Sequence, residues 1–217
     1  MALVLGGFTL GILVVMVVIS LVTGASQEVH EHFALPEVYG FQLVTQGNAL
    51  RAVFALDVAF LALYTSFFAA FARYLGERGR PFVKLALGFM IATAVLDVIE
   101  DHHIVTMLDA AEKNILPSTA EISAQAVLSA TKFSVSYVAL VLFGLAIPRD
   151  TKLGWALCLF LTAGTLASGV IGYALPPSAQ ASFDSGRWVG FLIGFSLALA
   201  WLRSQADSKL TPLAPTL

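Results

Sequence analysis

The stretch "LDVIEDHHI", residues 96–104, packs Asp97, Glu100, Asp101, His102 and His103 into seven positions of an otherwise apolar run. Carboxylates and imidazoles at this density can bind protons, inorganic cations or a small polar ligand. Helical spacing of 100° per residue puts Thr93, Asp97, Glu100, Asp101, Ile104 and Leu108 on one stripe, with His103 beside Glu100 and His102 toward the far side of Asp101. A carboxylate facing lipid costs several kcal/mol, so the stripe must face protein or water. Glu100 and His103, at i and i+3, also make one half of the Glu-x-x-His pattern of carboxylate-bridged metal bundles. His30 and His32, in "SQEVHEHF", can add nitrogen ligands for a divalent metal ion from above.

Two further spans carry charges that can reach this level. Asp57 lies six residues past Arg51, about 9 Å deep, and Asp97 lies roughly 20 Å from Lys84, hence about 10 Å below the outer boundary. Lys132, in "LSATKFSVSY", starts about 18 Å down its own span, and its stem can reach roughly 6 Å back. Asp57, Asp97 and Lys132 are therefore expected to meet, with helices two to four as neighbours. Carboxylates in excess of one ammonium call for a proton or a bound cation.

The elements that position these residues follow from composition. The 217 residues are 58% hydrophobic and 12% charged, with a mean hydropathy of +0.85, where soluble domains carry about 25% charge. This predicts an all-α integral membrane bundle of six transmembrane helices, since each crossing of ~30 Å needs about 20 mostly apolar residues. The spans read as Ala2–Gly24, Ala52–Ala72, Phe82–Leu108, Ser118–Ile147, Leu153–Leu175 and Phe183–Leu202. They form one domain over 1–203, with a long outer loop at 25–50 and a polar tail at 204–217. The first span lacks a basic flank and exceeds a signal peptide's usual apolar length, so it reads as a retained helix. Ser118 and Glu121 form a capping-box pattern that sets the register of the span carrying Lys132.

Orientation follows from Lys and Arg. Eight of them (Arg73, Arg78, Arg80, Lys84, Arg149, Lys152, Arg203 and Lys209) fall on one side, and Arg51, Lys113 and Arg187 on the other. N- and C-termini are therefore expected in the cytoplasm. The outer side then holds Glu28, Glu31, Glu37, Asp57, Asp97, Glu100, Asp101, Asp109, Glu112, Glu121, Asp184 and all four histidines, leaving Glu77, Asp150 and Asp207 inside. An acidic, histidine-rich outer face attracts cations.

Nucleic-acid binding is excluded by the absence of any basic patch or phosphate loop. The single cysteine, Cys158, rules out an internal disulfide and a multi-cysteine metal centre. Neither a Gly-x-Ser-x-Gly nor a His-Glu-x-x-His motif occurs, and a lysine on the fourth of six spans does not fit a retinal Schiff base. Small residues at four-residue spacing (Gly7 and Gly11; Gly164, Ser168 and Gly172; Gly190 and Gly194) predict close helix contacts within one protomer or between copies.

Asp57 and Tyr64 in one span, "LD-x-x-E-[N/D]" in the next (Leu96, Asp97, Glu100, Asp101) and Lys132 in the following one resemble small uncharacterised multi-pass membrane proteins of bacteria. Asp101 stands where that pattern has Asn, and His102–His103 lies outside it. The resemblance covers helices two to four and implies a multi-pass protein of the bacterial inner (plasma) membrane, with no activity attached.

Three function classes remain. The first is proton, cation or small polar ligand binding at Asp57, Tyr64, Asp97, Glu100, Asp101 and Lys132, in transport or ion-coupled sensing. The second is an enzyme with an outward metal or acid–base site at Glu100, His102 and His103, which would line a cavity with His30 or His32 at its mouth. The third is a structural subunit, a homo-oligomer or part of a larger membrane complex, whose charges lock helices together.

Overall fold

The computed structural model describes residues 1–78, 80, 82–176, 180, 183 and 186–210, with side chains to 207. Asp184, the Lys209 side chain, most of residues 177–185 and residues 211–217 lie outside this description. Six helices account for nearly all of it, and no strand occurs among the described residues. They are α1 (Ala2–Thr23), α2 (Pro36–Gly76), α3 (Val83–Ala111), α4 (Thr119–Ala146), α5 (Lys152–Ala174) and α6 (Arg187–Leu210). All but α3 are long and apolar enough, by length and composition, to cross a membrane. Helix α3 has the length, and its charges keep it out of that set. The all-helical chain with its outward apolar side chains, such as Val14, Val15, Val18 and Leu21 on α1, is compatible with a membrane protein in contact with lipid.

Local chemistry sets the helix ends. Gly24, at φ 71°, ends α1 in the left-handed conformation, and its N–H donates to the Ser20 carbonyl. Pro36 opens α2, where its missing N–H costs nothing. The Ser118 hydroxyl accepts from the Glu121 N–H at 3.2 Å while the Glu121 carboxylate accepts from the Ser118 N–H at 2.7 Å, completing the expected capping box. Helix α5 widens into a π-helical stretch over Phe160–Gly164.

The expected outer loop over 25–50 is corrected. Only the part before Pro36 is non-helical, with a short 3₁₀ turn at Glu28–Glu31. From Pro36 the chain runs as one helix of 41 residues, about 62 Å long. Its N-terminal turns bury Tyr39, Leu43 and Leu50 against Ile104 and Leu108 of α3 and Ile122 of α4. Protein packing carries the helix past the point where the apolar run gives out.

Each helix packs on the next in sequence, and α6 closes onto α1, giving a ring. One side of the ring is filled by aromatic contacts: Phe67 stacks on Phe71 at 5.7 Å, and Phe71 meets Trp201 edge-on at 5.9 Å. Within the ring lies a partly open cavity of about 680 Å³ bordered by α2, α3, α4, α5, α6 and the segment before Pro36.

Candidate functional site

The α3 stripe faces inward as its spacing requires. Thr93, Glu100, Asp101, Ile104 and Leu108 are buried and Asp97 is half-buried. Opposite it, α4 buries Ile122, Gln125, Ser129 and Lys132 at helical spacing, and α2 contributes Asp57, Phe60 and Tyr64. The segment after Gly24 folds down onto this level and buries Gln27, Glu28, His30 and Glu31.

Lys132 is the hub. Its ammonium donates to Asp97 Oδ1 at 2.8 Å, pairs with Glu100 Oε2 and lies 3.7 Å from Glu31 Oε1. Glu31 in turn holds Arg187 of α6, whose guanidinium lies 3.7 Å from the centroid of the Phe133 ring. The other Glu100 oxygen accepts from the Ser129 hydroxyl and from Gln125 Nε2 at 3.1 Å. Gln125 Oε1 accepts from His103 Nδ1 at 2.7 Å, so a polar chain runs from half-buried His103 through Gln125 to Glu100.

A second group sits beside the hub on the α2 side. Oxygens of Asp57, Asp97 and Asp101 all lie within 4.8 Å of one another, the spacing at which three carboxylates can share a cation. The Asp57 and Asp101 carboxyls are within hydrogen-bonding reach of each other. Asp101 Oδ1 accepts from Gln27 Nε2 at 3.0 Å, while Asp57 Oδ2 and Asp101 Oδ2 are buried with no donor among the described residues. Oxygen-only ligands suit hard cations such as Mg²⁺, Ca²⁺ or Na⁺ better than zinc.

Two titratable groups of the overlying segment are set by burial. It pushes His30 down to about 4, so its imidazole is neutral at pH 7; the ring packs edge-on against Tyr39 at 5.2 Å. Burial also pushes Glu28 above the usual carboxylate range, against the pull of the Ser26 hydroxyl.

The sequence-derived residues thus separate. Asp57, Asp97, Glu100, Asp101 and Lys132 come together, and Tyr64 lines the cavity near them with its hydroxyl lacking a partner among the described residues. The metal set of Glu100, His102, His103, His30 and His32 is not gathered among the described residues. Glu100 is committed to Lys132. Exposed His102 bonds the Val98 carbonyl at 2.8 Å, His103 is taken by Gln125, and His30 lies under Tyr39. Nor do Glu100 and His103 line the cavity; Glu28, Glu31, Asp57, Asp97 and Lys132 form its polar end. Sequence reasoning left Gln27, Gln125 and Ser129 out and placed Glu31 and Arg187 only on the outer surface. Gln125 and Ser129 could have been found, since they lie seven and three residues before Lys132 on its own face.

Comparison of the chain with protein-family models, with curated proteins and with solved structures gives no match.

Proposed function

We propose that this chain is a six-span protein of the bacterial inner membrane, termini in the cytoplasm and acidic, histidine-rich face outward, that binds and releases a proton or small cation in transport or ion-coupled sensing. The observation that carries this reading is the charge imbalance at the buried level. Among the described residues, Glu28, Glu31, Asp57, Asp97, Glu100 and Asp101 meet only Lys132 and Arg187 as cations, with His30 neutral and His103 reaching Glu100 through Gln125. Adjacent buried carboxylates cannot all ionise without a proton or cation between them. Lys132 and Arg187 are drawn toward Asp97, Glu100 and Glu31, which leaves Asp57 and Asp101 as the exchangeable pair. Ionisable groups at membrane depth mark ion pathways or binding sites by default.

The partner is the lipid bilayer. A Cβ added at Gly7 or Gly11 of α1 would meet nothing within 4 Å, so their small-residue face is left for lipid or a second copy of the chain. The test uses protein in lipid nanodiscs. Adding Na⁺, Mg²⁺ or Ca²⁺ to weakly buffered protein should release protons, read by a pH-sensitive dye, and the release should vanish in Asp57→Asn/Asp101→Asn. Identical traces for the two proteins would overturn the proposal.

A further inference from the structure

We propose that the central cavity takes an amphipathic organic cation, its charged head at Asp57 and Asp97 and its apolar body along α2 and α6 toward Phe71. For the charged end this rests on the cation-binding reading above; the body of the ligand rests on the cavity alone. At about 680 Å³ the space is far larger than an inorganic ion needs, and it falls among small-molecule sites of roughly 300–1,000 Å³. It is also polarised. Its acids sit at one end, and from Asp57 to Phe71 the α2 wall runs about 21 Å past Phe60, Tyr64, Phe67 and Phe68. A ligand matching this shape has one charged end and a long apolar remainder.

The sign of the head follows from which charges are already spent. Lys132 is held by three carboxylates and Arg187 by Glu31, with its guanidinium on the Phe133 face. Asp57 keeps an oxygen without a donor among the described residues although the residue is only 5% exposed, and Asp97, whose Oδ1 is already bonded to Lys132, retains 15% of its side-chain surface at the cavity. An anionic head would be brought against these acids, whereas a cation completes them. Tyr64 adds a separate pointer. It is 5% exposed, lines the cavity, and its hydroxyl is unpartnered among the described residues, as expected for a group awaiting a ligand atom. Its ring and that of Phe60, with centroids 5.3 Å apart, offer the electron-rich faces that attract organic cations.

The experiment uses the full chain in nanodiscs and two amphiphiles of matched chain length and opposite head charge, decyltrimethylammonium and decyl sulfate, below their micellar concentrations and with binding to empty nanodiscs subtracted. Decyltrimethylammonium should bind saturably, one per chain, and decyl sulfate should not. Asp57→Asn should weaken the cation at least tenfold. Phe195 of α6 lines the cavity, and Phe195→Trp, which leaves every charge in place and narrows the space, should weaken the cation severalfold, so the idea does not depend on one variant folding. Equal binding of the two ions, or cation binding unchanged in both variants, would overturn it. Proton release by inorganic cations without decyltrimethylammonium binding would remove this inference and leave the function proposed above intact. Saturable, Asp57-dependent decyltrimethylammonium binding without any such proton release would support the inference and remove that function.

Discussion

Lys132 shows how one side chain fixes what its neighbours can do. With Asp97, Glu100 and Glu31 around it, truncation leaves Asp97 and buried Glu100 without their cation while Glu31 keeps Arg187, whereas neutralising a partner at the same time removes part of the penalty. Lys132→Met should therefore cost ~3–5 kcal/mol, and Lys132→Met/Glu100→Gln distinctly less. Thermal unfolding in detergent measures both, and equal losses would mean that the residues do not interact. His30 makes a pH-dependent contribution of predictable sign. The folded imidazole stays neutral down to about pH 4, while the unfolded one takes up a proton near 6.5. Between these values the unfolded chain binds more protons, so stability falls as pH falls through that window. Glu28 acts oppositely, its contribution being lost as pH rises above the usual carboxylate range. The melting-temperature difference between wild type and His30→Gln should shift against the wild type on going from pH 7 to pH 4.5. A difference independent of pH would show that His30 is not buried neutral. The meeting of Lys132 with Asp97 was legible in the sequence because a charge inside an apolar run must find a partner at its own depth. Glu31 was not, since nothing in "SQEVHEHF" says that the segment after Gly24 folds inward.

At the scale of elements, hydropathy located the helices well and the N-terminal end of α2 badly. "TQGN", residues 45–48, lowers the apolar count and contains a glycine, which together read as loop. In the structure Gly47 is a close-packing position. A Cβ there would stand 3.2 Å from Glu112 Oε1 and 3.4 Å from Leu108 Cδ1 of α3. Small residues also separate into two kinds that spacing alone does not distinguish. At Gly144 of α4 an added Cβ meets Thr162 Cγ2 at 2.7 Å and Leu161 Cβ at 3.0 Å, beside the π-helical stretch of α5, whereas at Gly7 and Gly11 it meets nothing. Gly144→Ala should cost about 1–3 kcal/mol, the usual penalty for overpacking. Gly11→Ala should cost nothing measurable in a monomer, and a loss there in detergent-solubilised protein that tracks dissociation would instead reveal contact between copies.

For the molecule as a whole, the ring explains why so polar a set of residues coexists with so apolar an exterior. The buried charged groups, Glu28, Glu31, Asp57, Glu100, Asp101 and Lys132, gather within the ring, while many aliphatic side chains face outward. The proposed orientation is checked with a Cys158→Ala background carrying either Lys113→Cys or Glu77→Cys, both at exposed positions. A membrane-impermeant maleimide should label the first in intact cells and the second only after lysis. The reverse pattern would invert the topology. Ring closure could not be read from the sequence, because it depends on which face of each helix its neighbours select. The cavity depends in the same way on the faces that α2 to α6 turn to one another, and it was hidden for the same reason.

The bond between Glu31 and Arg187 joins residues 156 positions apart, and this separation sets an order of events during synthesis. Asp57, Asp97, Glu100 and Asp101 all leave the ribosome before Lys132, and Arg187 follows only with the last helix. A nascent chain ending after α3 carries acids whose compensating cations have not yet been made. Those acids must stay protonated or wait in water until α4 arrives, so the helix bearing Lys132 is the earliest point at which the growing chain can settle its charges, and α6 the earliest at which it can close.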